Sequence, residues 1–183
     1  DNIERAIKKG TGELGGSVYE EKIYEGYGPG GVAVLVEVLT DNNNRAAANV
    51  RNIFSKSGGN LGATGSVAYM FNRKGVIEYD AEVVKEDEIM EAGLEAGAED
   101  IAEDGGVITV TTDPADFETV LEFLQNKGYE SVSAGISMVP DTYSTLDADT
   151  TRKVLKLIDR LEEDDDVQNV YSNIDIPEGF EAE

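Results

Sequence analysis

Arg45, Asn49, Asn52 and Lys56 recur at intervals of three or four residues. At about 100° per residue they fall in one narrow helical stripe. That stripe is set apart from the face on which Ala46, Val50, Ile53 and Phe54 would be buried. Arg and Lys can meet phosphates, and Asn can donate to or accept from base edges and sugars. The stripe is therefore a candidate nucleic-acid contact, where the ordinary reading is a plain polar helix face. Arg51 points to another side of the same helix. The following Ser57-Gly58-Gly59-Asn60-Leu61-Gly62 adds backbone donors, and Arg5, Lys8 and Lys9 are further candidate contacts near the start.

Other chemistry is thinly supported. Gly26-Tyr27-Gly28-Pro29-Gly30-Gly31 has the glycine content of a phosphate cradle. It lacks a following Lys-Ser/Thr and feeds a strand instead of a helix, so Walker-type geometry fails. Pro-Gly at the centre of a type II turn is the simpler expectation. The carboxylate runs Glu86-Asp87-Glu88 and Glu162-Glu163-Asp164-Asp165-Asp166 lack the alternating ligands and central Gly of a calcium loop, and read as hydrated helix ends. No spacing specifies a pair of glycosidase carboxylates. The chain has no Cys and no His, which excludes thiolate or imidazole zinc sites, Ser-His or Cys nucleophile systems and disulfides. Nothing argues for an enzyme, a cofactor, a metal or a small-molecule substrate.

The elements that position the stripe must come from 183 residues, 40% hydrophobic and 29% charged, enough for one sizeable domain or two small ones. Fifteen basic against thirty-eight acidic residues give a net charge of −23. Residues 1–60 hold seven basic and eight acidic residues, whereas residues 61–183 hold eight and thirty. Such a field repels nucleic acid at long range. Any contact with DNA or ribosomal RNA must then use residues 1–60 or a segment preceding them. The acidic part reads as a solvated surface, or as a docking surface for a basic partner such as a ribosomal protein. No apolar run approaches the ~18–20 residues of a membrane span and no signal-peptide pattern opens the chain, which points to a cytoplasmic protein without membrane contact.

Asp1 to Lys9 has the pattern of the last turns of a helix, with Gly10 after it and a Gly-rich linker to Gly16. The chain opens inside that pattern without an initiator Met, and reads as lacking its natural N-terminus. Strands are expected at 18–24 and 32–40, a helix over 42–57, and strands at 67–71 and 75–80 around a turn at Asn72-Arg73-Lys74-Gly75. Two β-α-β units follow: strand 75–80, helix 86–97 and strand 99–103, then strand 107–112, helix 114–127 and strand 131–139. In tandem they suggest a ferredoxin-like βαββαβ sandwich. A closing helix over 148–162 and strand 167–174 have no partner except the opening ββα segment, itself too small to stand alone. The expected fold class is therefore α/β (α+β). It comprises a split ββα…αβ domain from 17–74 and 141–183, an inserted ferredoxin-like domain at 75–140, and residues 1–16 as a remnant helix and linker.

Three stretches carry a resemblance. DNIERAIKKGTGE at 1–13, YEGYGPGGVAVLVEVLTDNNNRAAANVRNIFSKSGGNLG at 24–62 and TGSVAYMFNRKG at 64–75 are similar to signature segments of the YebC/PmpR family. A eukaryotic relative of that family is the mitochondrial translational activator of cytochrome c oxidase. The resemblance covers essentially the whole chain and implies a split α/β domain with a ferredoxin-like insert, preceded by a basic helical domain of which 1–9 would be the end. It implies a non-enzymatic regulator of gene expression: a DNA-binding transcriptional regulator, or a ribosome-associated factor that helps translation through proline-rich stretches. Asn42-Asn43-Asn44-Arg45 stands where relatives carry a similar Asp-Asn-x-Asn-Arg run, and Ala46-Ala47-Ala48 is blander than the usual Thr- or Ser-containing version.

Overall fold

The structure is a computed structural model that describes residues 18–177 and Phe180. The helix expected over 1–9, its linker, and Arg5, Lys8 and Lys9 lie outside the described residues. In chain order the elements are β1 (Glu20–Tyr27), β2 (Ala33–Thr40), α1 (Asn43–Lys56), β3 (Asn60–Leu61), β4 (Phe71–Asp80), α2 (Glu86–Ala96), β5 (Asp100–Asp104), β6 (Val107–Thr112), α3 (Phe117–Asn126), β7 (Ser133–Pro140), β8 (Ser144–Thr145), α4 (Ala148–Glu163), β9 (Val167–Ser172) and β10 (Ile174–Asp175). They form two compact units, the described residues of Asp1–Phe71 with Pro140–Glu183, and Asn72–Val139.

In the first unit β2 reads AVLVEVLT, apolar on both faces, and such a strand must lie inside a sheet. Antiparallel β1 and β9 flank it in a sheet of order β3-β1-β2-β9. One face buries Val34, Val36 and Val38 with Ala46, Val50 and Phe54 of α1 and Val154, Leu157 and Leu161 of α4 in one cluster. On the other face Leu35 and Glu25 lie opposite each other and are both buried. The Glu25 carboxylate accepts from the backbone N–H groups of Gly65, Val67 and Ala68 at 2.7, 3.0 and 2.7 Å, which pins the 62–70 loop. Burial works to raise the Glu25 pKa, but the three donors outweigh it and hold the group below its ordinary value.

The second unit has the strand order β5-β6-β4-β7, with β6 antiparallel to both β4 and β5. This is the order of a βαββαβ sandwich, its first and third strands paired in the middle. Its core joins Ile77, Tyr79, Ile108 and Val110 of the sheet to Ile89 of α2 and Val120 and Leu124 of α3. Burial pushes the Tyr79 phenol up to about 12.

Three local expectations need correction. Strands 67–71 and 75–80 are not separated by a turn: Ala68–Met70 forms a 3-10 turn and β4 then runs unbroken through Asn72-Arg73-Lys74-Gly75. Gly75 is needed for close approach, because a Cβ there would meet Thr112 and the Phe117 ring. The helix expected from 114 opens as a 3-10 turn, Pro114–Asp116, before α3. The closing strand breaks at buried Asn173, whose side-chain oxygen accepts from the Ala33 N–H at 2.9 Å; β10 then pairs with β8, which the sequence pattern did not indicate. Pro29-Gly30 does form the expected type II turn. Gly30 has φ of 74° and the Gly31 N–H donates to the Gly28 carbonyl at 3.0 Å.

Two outcomes follow. A carboxylate with a depressed folded pKa gives stability that is complete above its unfolded pKa near 4.5 and is lost as pH falls through the folded value. Glu25→Gln should therefore cost about 1–3 kcal/mol at pH 7 by chemical denaturation, and the gap from the parent protein should close toward pH 3. We also propose that residues 72–139 fold alone, since a sandwich of this kind carries its own core. The isolated piece should melt cooperatively with a tyrosine titrating near 12. A disordered spectrum would put the domain boundaries elsewhere.

Candidate nucleic-acid interface

α1 starts where Asn42, in extended backbone, caps it by accepting from the Arg45 N–H at 3.0 Å. Ala46, Val50 and Phe54, four residues apart, are buried. Asn49, Arg51, Asn52 and Lys56 are exposed, as the periodicity predicts. No carboxylate occurs in α1, and none occurs anywhere from Asn42 to Ile77.

Arg45 departs from the expected picture. Its Nε and Nη2 donate to both oxygens of Asp166 at 3.0–3.2 Å, and Nη2 also donates to Asp41 at 3.0 Å. The Asp166 side chain is 7% exposed and the Arg45 side chain 47%. Hydrogen bonds to Asp166, then to Asp41, push the guanidinium pKa further up. Arg45 ties the start of α1 to the segment entering β9, with its charge neutralised by its own chain. Asn49, Asn52 and Lys56 are what remains of the stripe as an open surface.

The carboxylate runs have structural surroundings. Glu86, Asp87 and Glu88 occupy the first turn of α2, where the helix dipole favours negative charge. The hydrogen bond that protonated Glu86 donates to Glu103, then burial and repulsion from Glu103 and Asp87, raise the Glu86 pKa. In the second run Asp164 accepts from the Asp166 N–H at 2.9 Å and Asp166 holds Arg45. Among the described residues no group of three or more carboxylates is placed to hold a metal ion.

Lys56 has neighbours that sequence reasoning missed. With Ser57 and Gly58 at the end of α1 it lines an open groove of about 320 Å3 whose other wall is Lys153, Lys156 and Arg160 of α4. Arg160 donates to the Ser57 hydroxyl at 3.2 Å. The signal was present: 153, 156 and 160 share a helical face about 100° round from that of Val154, Leu157 and Leu161. What the sequence hid was that α4 packs beside α1.

Residues 19–174 match a family model described as the TACO1/YebC second and third domain. The chain is 82% identical over 181 residues to a probable transcriptional regulatory protein of Treponema denticola, covering 99% of this chain and 73% of that one. It is 77% identical over 177 residues to a protein of the same name from Treponema pallidum, covering 97% and 72%. The crystal structure of a conserved hypothetical protein from Aquifex aeolicus superposes with a TM-score of 0.82 at 50% identity, covering 96% of this chain and 73% of that one.

The split stripe separates two substitutions that periodicity treats alike. Arg45→Glu sets three carboxylates together around buried Asp166, and should lower the melting temperature well beyond the ~2 °C allowed to a neutral surface change. Asn49→Asp should stay within that margin. Equal melting temperatures for the two variants in a thermal scan would show that the Arg45 cluster does not hold α1 in place.

Proposed function

The chain belongs to the TACO1/YebC family, and on that premise we propose that it is a non-enzymatic, cytoplasmic regulator of gene expression that works bound to nucleic acid. The names of its relatives support regulation. The outer face of α1 carries the nucleic-acid part of the reading. Asn49, Asn52 and Lys56 are exposed on one stripe of a helix without carboxylates, in a chain that has thirty-eight. This is the surface that a polyanion can approach without short-range repulsion. Asn amides there suit base edges or sugars, and the cation suits phosphates.

Binding to DNA as a transcriptional regulator accords with the relatives' names. A second reading, association with the ribosome as a translation factor, is favoured by the inserted unit, whose residues 72–139 hold four basic and seventeen acidic residues. A ribosomal site offers such a surface basic proteins beside RNA, whereas bare duplex DNA offers it only repulsion.

Asn49→Asp with Asn52→Asp adds two carboxylates to α1 with little change of shape. Association should fall at least about fivefold, the equivalent of one or two lost polar contacts. Crosslinking in cells followed by sequencing of bound DNA and RNA measures the loss and identifies the partner. Recovery of DNA supports the transcriptional reading, and recovery of ribosomal RNA the translational one. Association unchanged in the double variant would exclude the α1 face as the contact.

A further inference from the structure

We propose that the groove between the end of α1 and the outer face of α4 is a phosphate-backbone site, where Lys56, Lys153, Lys156 and Arg160 hold a nucleic-acid strand independently of its sequence. The inference rests on the reading of the chain as a nucleic-acid partner and gives that reading a second site, three of whose four cations lie outside the acid-free segment.

Placement is the first argument. α1 and α4 share one core, in which Val50 and Phe54 meet Val154, Leu157 and Leu161, so the walls of the groove are fixed by buried packing. Lys153, Lys156 and Arg160 stand on the exposed side of α4 and Lys56 ends α1 facing them, with all four exposed.

Charge is the second. Like charges at helical neighbour spacing destabilise a helix, and this chain carries carboxylates in large excess with which to neutralise them. It does so nearby: Asp149 is one turn before Lys153 but pairs with Arg152 at 3.1 Å. Among the described residues Lys56 and Lys156 have no ion pair, Lys153 has only a longer-range attraction to Asp147, and Arg160 donates to a neutral hydroxyl. Of the eight basic residues from 61 to 183, six lie outside the acid-free stretch 42–77, and three of those six converge on this one recess. The unneutralised charge is accounted for if an anion fills the groove.

The chemistry of the lining selects the anion. The groove is open and lacks the apolar walls that enclose a metabolite. Three of the four cations are lysines, which bind phosphate as point charges without the planar fork that reads a base edge, and the Arg160 fork is engaged with the Ser57 hydroxyl. Charge without base readout, on a trough open to solvent, fits a polymer backbone. Lys56 belongs to both surfaces, so a strand held in the groove continues onto Asn49 and Asn52 of α1.

The test uses the whole 183-residue chain with labelled 20-mers of mixed sequence: RNA, single-stranded DNA and duplex DNA. Lys153→Gln with Lys156→Gln removes two charges from exposed positions. Lys85→Gln with Lys127→Gln, in the inserted unit, changes net charge equally and serves as the control. Two lost phosphate contacts should flatten the slope of log affinity against log salt by about 1.4 for single strands or 1.8 for duplex, and weaken binding at 0.1 M salt about tenfold or more. The control should change neither, and melting temperatures should agree within ~2 °C. Whichever 20-mer shows the larger change identifies RNA or DNA as the occupant. An unchanged slope in the groove variant, or an equal change in the control, overturns the groove while leaving the α1 reading intact. A parent chain that retains none of the three probes overturns both.

Discussion

The first unit depends on a strand that cannot tolerate water on either side. Val34, Val36 and Val38 need cover on one face of β2, and Ala33 and Leu35 need it on the other. The opening segment supplies β1, α1 and the loop clamped by Glu25, and this is not enough. The second edge of β2 and the second half of the helical layer come from β9 and α4, more than a hundred residues later. A self-contained second unit fits between them because a βαββαβ sandwich closes on its own core and returns the chain near where it left. Adjacency of α1 and α4 is thus a consequence of burying β2. The groove of four cations is a by-product of the same packing.

Electrostatics then assigns the carboxylates to distinct tasks. Glu25 clamps a loop through three backbone donors, Asp147 caps α4 by accepting from the Thr150 N–H at 2.7 Å, and Asp113 accepts from the Ala115 N–H at 2.9 Å ahead of α3. Asp166 anchors Arg45. Each is held by specific donors, so replacing any of them removes a structural contact as well as a charge. Most of the remaining acidic residues are exposed, and sixteen of them sit on the inserted unit. The stretch from Asn42 to Ile77, free of carboxylates, forms α1, β3, the loop clamped by Glu25 and the first part of β4. Charge of opposite sign is thereby divided between segments of one chain, and a partner that presents both signs can be met by both.

How much of this was legible in the sequence depended on range. The nearly unbroken apolar run of β2, the 3.6-residue period of α1, α3 and α4, Asn42 as a cap and Pro29-Gly30 as a turn all act within a few residues, and each could be read locally. Gly75 could not. As one of four polar or small residues in a row it has the look of a turn, and only Thr112 and Phe117, brought close by sheet pairing, give it a reason to be glycine. The break at Asn173 likewise follows from a hydrogen bond to Ala33, 140 residues away.

The candidate site shows the same limit more sharply. A helical period reports which side chains leave the core; it says nothing of what they meet outside it. Arg45 and Lys56 occupy one stripe, yet Asp166 reaches Arg45 from a segment 121 residues on, while three further cations are set beside Lys56 from α4. The same tertiary packing therefore neutralises one end of the stripe and reinforces the other. A free guanidinium at position 45 would have left Asp166 buried without a partner, so the loss of a contact residue at the start of α1 is the condition for holding the helix where its far end completes the groove. Availability of a cation for an outside anion is in this sense a property of the fold, decided by which charged groups the packing of β2 brings within reach.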